Sequence, residues 1–158
     1  SLNIVIGGAA GAIPPIIGWT SVTPEISLLP LSMFLIIFFW TPPHFWALSV
    51  YRFNDYAKAK VPMLPNVSSI DETKKQIIYY SVILIASSYL PYIDRGVGLI
   101  YFVIATILNF FLLNNAIKLK KSKEKKSIPN TEGLKFFALT IFYLFSLFAG
   151  LLIDHVIL

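Results

Sequence analysis

The sequence predicts an all-α fold, a polytopic transmembrane helical bundle. Of its 158 residues, 56% are hydrophobic and only 13% are charged, whereas soluble domains carry about 25% charged residues. The apolar residues occur in long unbroken runs of the kind that cross a lipid bilayer. Lys and Arg cluster between these runs, which indicates membrane topology and not a nucleic-acid-binding surface. The absence of cysteine excludes disulfides and thiolate metal sites.

The first apolar segment, about residues 4–19, is short compared with the roughly 20 residues that a span needs. Pro14-Pro15 predicts a kink within it. Because the chain begins at Ser1 inside this apolar run, we expect it to be part of a longer protein. Two pairs of small residues predict a close seam with another helix: Gly7 with Gly11, and Gly8 with Ala12.

The second apolar run predicts a long span over residues 28–51. Thr23-Pro24-Glu25 is typical of a helix start, with an N-cap, a proline and an acid in the first turn. Pro42-Pro43 predicts a kink, beyond which the helix continues into a polar segment. We expect Pro62 and Pro65 to end helix formation there.

Three further spans are expected at residues 77–92, 97–117 and 134–153, and Ser69 with Glu72 fits a capping box before the first of them. Residues 52–76 carry five Lys and Arg and residues 118–135 carry seven, whereas residues 20–27 carry none. Because basic loops face the cytoplasm, we expect cytoplasmic loops at 52–76 and 118–133 and a C-terminus outside.

The segment Trp40–Pro65 joins membrane-type sequence to charged sequence. If its helix continues beyond the prolines, His44, Tyr51 and Asp55 share one helical face, with Arg52 beside it. An ionisable residue within a span is costly and suggests a functional site. A solvated basic loop at the membrane interface is the alternative, and the residues alone leave both interpretations open.

Asp55 is a candidate ligand for Mg²⁺, which takes one or two carboxylates and fills its other positions with water and phosphate oxygens. Arg52, Lys58 and Lys60 are candidates for neutralising a diphosphate. Arg52 is the strongest of these because its planar fork suits phosphate, whereas the lysines also fit a simple positive-inside bias. The neighbour of Asp55, Asn54, offers an amide and not a second carboxylate.

Three strings resemble the UbiA-type superfamily of intramembrane aromatic prenyltransferases, and within it the branch that farnesylates haem: NIVIGGAAGAIPPIIGW (3–19), FWTPPHFWAL (39–48) and NDYAKAKVPMLP (54–65). The resemblance is strong over the first half of the chain, whereas the later spans match in pattern and length. It implies nine spans in a bacterial inner membrane, about five of them present here, and two aspartate-rich cytoplasmic motifs. Residues 51–55 would be the second motif, and the first would lie upstream of Ser1.

The resemblance further implies that farnesyl diphosphate donates its farnesyl group to a vinyl group of haem b (protohaem IX), giving haem O. Mg²⁺ would bridge the diphosphate, and haem b would be a substrate and not a cofactor. The implied partners are these two substrates, the lipid bilayer and the missing N-terminal spans. The implied catalytic residues are Asp55, Arg52 and Tyr51, with Asp55 also the metal ligand, and the implied substrate-binding residues are Lys58, Lys60, His44 and Trp46.

Several residue roles remain open. His44 would contact haem as an iron ligand or a propionate partner, or else hydrogen-bond a carbonyl freed by the prolines. Tyr51, Trp46 and Phe45 would stabilise a carbocation through their ring faces, or else anchor the helix against lipid or its neighbours. The competing functions are a prenyltransferase acting on a quinone precursor and a non-catalytic, transporter-like membrane subunit with proline-broken spans. Without the missing motif, we expect the chain alone to be inactive.

Overall fold

The computed structural model describes residues 3–93, 97–123 and 130–157, and these ranges are almost entirely helical, without any strand. The all-α prediction is therefore confirmed. Part of the basic loop predicted at 118–133, residues 124–129, lies outside the described residues. In chain order, the helices are α1 (Asn3–Ala12), α2 (Pro14–Thr20), α3 (Leu28–Tyr51), α4 (Phe53–Lys58), α5 (Leu64–Val67), α6 (Ile70–Ser88), α7 (Leu90–Ile93), α8 (Leu99–Lys121) and α9 (Thr131–Ile157).

Four helical segments within the described residues are long and apolar enough to cross a membrane: Leu28–Tyr51, Ile70–Ile93, Leu99–Lys121 and Thr131–Ile157. The first apolar segment, Ile4–Thr20, is shorter. At about 1.5 Å per residue it does not cover a hydrocarbon core of about 30 Å. Its helix breaks at Ile13, immediately before the proline pair, as those prolines predict.

Helix α3 is the central element of the bundle, because α1, α6 and α9 all pack against it. Helix α8 completes the bundle by packing on α6 and α9. The buried core lies between these long helices and includes Ile36 of α3, Ile77 of α6, Leu112 of α8 and Leu147 of α9. The resulting arrangement fixes α3, and with it the polar segment that follows, from three sides.

The two basic loops lie at the same end of this bundle. Lys74 Nζ, at the start of α6, donates to the carbonyl of Ser122 after α8 at 3.0 Å, and Lys120 forms an ion pair with Asp71. At the opposite end, the fully buried carboxylate of Asp154 accepts hydrogen bonds from the backbone N–H groups that open α8, those of Gly98 and Tyr101. These bonds satisfy donors that a helix start leaves unpaired.

The helix cap predicted before the second span is wrong, although the span itself covers the predicted residues 28–51. Helix α3 begins at Leu28 with Ser27 as its N-cap, so Thr23-Pro24-Glu25 does not cap it. The polar groups there instead close a turn with α2, because Thr23 Oγ1 donates to the Trp19 carbonyl at 2.9 Å and Trp19 Nε1 donates to the Glu25 carbonyl at 2.9 Å.

The predicted start of the third long helix is confirmed at its cap. The Glu72 N–H donates to Ser69 Oγ at 3.0 Å, and α6 begins at the next residue, Ile70. The expected role of Pro65 is wrong, because this proline lies in the first turn of α5, a position that proline favours since its missing N–H is not needed there.

Gly133 lets α9 approach α3 closely, so we expect Gly133→Ala to destabilise the protein. An added Cβ would lie 3.0 Å from the Ala47 carbonyl oxygen and 3.3 Å from the Tyr51 nitrogen. Because both atoms belong to backbone, we expect overpacking to cost about 1–3 kcal/mol. Thermal unfolding of the full-length gene product in detergent measures this effect. The control is Gly18→Ala, whose Cβ meets nothing within 4 Å and whose effect should be neutral or stabilising; equal melting temperatures for the two variants would contradict the close approach.

Candidate functional site

The polar segment does not continue α3 as one helix. Helix α3 passes through Pro42 and Pro43 and ends at Tyr51. Arg52 then leaves the helical conformation, with φ −96° and ψ 27°, and α4 begins at Phe53. The expected single helical face from His44 to Asp55 is therefore wrong, because Asp55 belongs to a separate short helix beyond the break.

Arg52 and Asp55 form an ion pair at the end of α3, with 3.0 Å between Nη1 and Oδ2. Their side chains are 57% and 61% exposed, so the pair contributes at most about 1 kcal/mol to stability. The guanidinium also lies over the Tyr51 ring, 5.5 Å from its centroid. The hydrogen bond and charge of Asp55 raise the pKa of Arg52 further, so its cation persists at any physiological pH.

Helix α4 ends in a backbone arrangement that places two lysines near this pair. The Val61 N–H donates to the Tyr56 carbonyl at 3.1 Å, and the Lys60 N–H donates to the Ala57 carbonyl at 3.2 Å, which is a Schellman motif. Lys60 occupies its left-handed position, with φ 54°, where glycine is usual and another residue costs about 1 kcal/mol. With Lys58 in the last turn of α4, three cations accompany one carboxylate between residues 52 and 60.

A cavity of about 530 Å³ lies between α1 and α3, within the usual size range of ligand sites. Trp40 and Phe45 of α3 form part of its wall, and Met63 and Tyr56 extend the wall beyond the membrane helices. Tyr56 directly follows Asp55 in α4. An apolar cavity therefore begins next to the charged end of α3.

Only one of the two predicted small-residue pairs packs as a helix seam. Gly8 and Ala12 are buried, and a Cβ on Gly8 would lie 3.0 Å from Thr41 Cγ2. Gly7 and Gly11 have no such neighbour within 4 Å and line the cavity instead. Their missing side chains leave open space beside α3.

His44 is held between α3 and α9. Its ring stacks on Trp40 at 4.1 Å and on Phe137 at 4.4 Å between centroids, and its Nδ1 lies 2.7 Å from Thr140 Oγ1. The partner of Nδ1 is therefore this hydroxyl and not a carbonyl freed by the prolines. Sequence reasoning could not find this partner, because Thr140 is 96 positions away.

Trp46 is 4% exposed and packs edge-on against Tyr80 of α6, with 5.2 Å between ring centroids. It does not line the described cavity, whereas its neighbour Phe45 does. This placement favours the helix-anchoring role for Trp46, whereas Phe45 lines the cavity together with Trp40 and Tyr56. Tyr56 and the glycines of α1 are cavity residues that sequence reasoning did not assign, although the proximity of Tyr56 to Asp55 was a usable signal.

Within the described ranges, no group of three or more His, Asp or Glu side chains could hold a metal ion. Asp55 offers one carboxylate at an exposed position. One carboxylate is enough for Mg²⁺ when phosphate and water supply its other oxygen ligands. The residues therefore suit a shared metal–diphosphate site and not a metal site built by this segment alone.

Comparison with protein families identifies residues 1–141 as a match to the UbiA prenyltransferase family. The chain belongs to this family. Its relatives include proteins named protoheme IX farnesyltransferase from Pelagibacter ubique (48% identical over 98% of this chain) and from Coxiella burnetii (49% identical over 97%). This UbiA-family chain spans about half the length of these relatives, 51% and 48%. No solved structure matches it significantly.

Family membership confirms the resemblance stated from the three sequence strings and supports a multi-pass membrane protein. It does not favour the transporter-like alternative, because the family is one of prenyltransferases.

Proposed function

We propose that this chain is part of a membrane prenyltransferase that transfers a farnesyl group from farnesyl diphosphate to a vinyl group of haem b, giving haem O. The observation that carries the proposal is the junction at Asp55 and Tyr56, where an exposed cluster of charges meets an apolar cavity of about 530 Å³. A prenyl diphosphate has the same two parts, an anionic head and an apolar tail.

In this arrangement the tail lies in the cavity along α3, and the diphosphate lies at Arg52, Lys58 and Lys60. As the allylic carbon–oxygen bond breaks, its electron pair leaves with the diphosphate, and these cations stabilise the growing negative charge. The cavity wall excludes water that would otherwise capture the allylic cation. The π electrons of the haem b vinyl group form the new carbon–carbon bond to that cation, and a water molecule adds to the cation left on the former vinyl group with loss of a proton, which gives the hydroxyl of haem O. The rings of Phe45 and Tyr56, which line the cavity, can stabilise that cation through their faces.

Mg²⁺ would be held at Asp55, where it supplies additional positive charge to the diphosphate. Asp55 supplies one carboxylate, and Mg²⁺ at such sites takes one or two. The relatives are about twice as long as this chain, and we propose that further spans of the same polypeptide supply a second carboxylate and close the site. Without them, the chain alone would be inactive.

The proposed acceptor is haem b because the reported relatives are named protoheme IX farnesyltransferase. An assay on membranes that contain the full-length gene product tests this choice. Farnesyl diphosphate is supplied with either haem b or 4-hydroxybenzoate, and we expect haem O as the product. Prenylation of 4-hydroxybenzoate with haem b unchanged would assign the protein to quinone synthesis instead.

We propose that the protein lies in a bacterial inner membrane and that its charged end faces the cytoplasm. The basic loops at that end support this orientation. These 158 residues contain no cysteine, so each replacement introduces one thiol into this part of the protein, and labelling is compared with that of the unsubstituted protein. We expect Ser21→Cys to react with a membrane-impermeant maleimide added to intact spheroplasts, and Ser68→Cys to react only after lysis. Both positions are exposed, and the reverse pattern of labelling would contradict the orientation.

Lys60 provides a test that separates charge from backbone strain. Because Lys60 has a left-handed conformation, Lys60→Gly should leave the melting temperature unchanged or higher. The same change removes a cation from the proposed diphosphate site, so we expect KM for farnesyl diphosphate to rise about tenfold, or ~1.4 kcal/mol. Lys60→Arg is the control and should preserve KM. An unchanged KM in the glycine variant would remove Lys60 from the diphosphate site.

A further inference from the structure

The hydrogen bonds around His44 determine which of its ring nitrogens carries a proton. The Thr140 hydroxyl has one hydrogen, and it donates this hydrogen to the Phe137 carbonyl at 2.7 Å. Toward His44 Nδ1, also at 2.7 Å, the same oxygen can therefore only accept. Both short contacts of Thr140 are hydrogen bonds only if His44 donates from Nδ1, and in the neutral ring this leaves Nε2 unprotonated with an available lone pair.

The ring is also fixed in orientation. Trp40 and Phe137 cover its two faces at interplanar angles of 20° and 26°. Trp40 is held in turn, because its Nε1 donates to the Thr140 carbonyl at 2.7 Å. Within the part of the chain that the structure describes, no hydrogen bond reaches His44 Nε2, and His44 is 7% exposed.

His44 does not itself line the cavity, but it packs directly behind two residues of the cavity wall. His44 contacts Trp40 and Phe45, which both line the cavity. It lies seven residues before Tyr51, the last residue of α3, and so about 10 Å from the charged end along the helix axis. A planar acceptor held here would lie just below the diphosphate.

A histidine that binds a metal typically donates its other ring N–H to an oxygen, which fixes the tautomer and the orientation of the ring. His44 has this arrangement. A neutral Nε2 accepts and cannot donate to a carboxylate, and a charged imidazolium is costly to bury at 7% exposure. The geometry therefore suits a metal better than a propionate.

We propose that His44 Nε2 is an axial ligand of the iron in the haem substrate and that Thr140 is the positioning residue that fixes its tautomer. The proposal rests on the proposed function, since it takes haem b as the acceptor. The bond is a coordination bond in which Nε2 gives a lone pair to iron, and no proton or electron is transferred.

The test uses the full-length gene product in lipid nanodiscs, loaded with ferrous haem b in the absence of farnesyl diphosphate. Resonance Raman spectroscopy detects an iron–histidine stretching band, and a titration gives the Kd for haem. We expect His44→Phe, which retains an aromatic ring in the stack, to lose the band and to bind haem at least tenfold more weakly. We expect the matched control His155→Phe, which replaces the other histidine of the chain, to retain the band and the affinity.

Two further variants distinguish ligation from a structural role. His44→Ala should regain an iron–imidazole band when imidazole is added, which also shows that the variant is folded. Thr140→Val removes the acceptor of the Nδ1 proton, so we expect a lower stretching frequency and about tenfold weaker haem binding, whereas Thr140→Ser should match the wild type.

A wild-type band that persists in His44→Phe, or haem bound to wild type without any such band, would overturn the proposed ligand while leaving farnesyl transfer to haem intact. If the wild-type protein did not bind haem at all, both the proposed ligand and the proposed function would be overturned.

Discussion

Replacing Asp55 with alanine in the full-length gene product is expected to lower haem O formation about a thousandfold, close to complete loss. The proposed site depends on this carboxylate, which is the one acidic side chain between residues 52 and 60. Removing a single electrostatic contact to a developing charge typically costs 10²–10³ in rate, and losing a metal ligand belongs at the upper end of this range. The measurement is the rate of haem O formation by chromatography of extracted haems.

The same change should leave the fold intact, because the ion pair between Asp55 and Arg52 is exposed and contributes at most about 1 kcal/mol. Asp71→Ala is the matched control. Asp71 is also an exposed carboxylate at this end of the bundle, and it pairs with Lys75 and Lys120. We expect its activity to remain near that of the wild type. Equal activities of the two variants would remove Asp55 from the site.

Filling the cavity at Gly11 is expected to have the second largest effect. Gly11 lines the cavity, and a side chain there meets nothing within 4 Å at Cβ, so Gly11→Trp should place an indole ring in the space assigned to the prenyl tail. A buried methylene is worth about 0.8 kcal/mol. Losing the burial of three carbons would therefore lower kcat/KM for farnesyl diphosphate by roughly fiftyfold.

A shorter donor should be affected less, so kcat/KM for geranyl diphosphate relative to farnesyl diphosphate should rise in Gly11→Trp. Gly18→Trp is the matched control, since Gly18 also has open space at Cβ but does not line the cavity. We expect the control to retain both activities. A uniform loss with both donors in Gly11→Trp would place the prenyl tail elsewhere.

The long helices could be predicted from sequence because hydropathy and helix caps are local signals. Helix α3 covers the same residues as the second apolar run, 28–51, and Ser69 caps α6 as its spacing to Glu72 indicates. The break at Arg52 could not be predicted in this way, because no proline or glycine marks it.

The site depends on contacts that local patterns do not contain. The tautomer of His44 follows from Thr140 on α9, and the cavity follows from which glycines of α1 have open space at Cβ. Small residues four apart predict a seam, but they do not indicate which pair packs and which pair leaves a space. The residue types of the charged cluster were recognisable from sequence, whereas the position of the cavity beside it required the packing of α1 on α3.

The dependence of farnesyl diphosphate binding on Mg²⁺ tests the central claim most directly. Isothermal titration of the full-length gene product with a non-hydrolysable farnesyl diphosphate analogue gives Kd with Mg²⁺ present and after its removal by chelation. The account predicts at least tenfold tighter binding with Mg²⁺, and loss of that difference in Asp55→Asn. Equal affinity of the wild-type protein in the two conditions would contradict it.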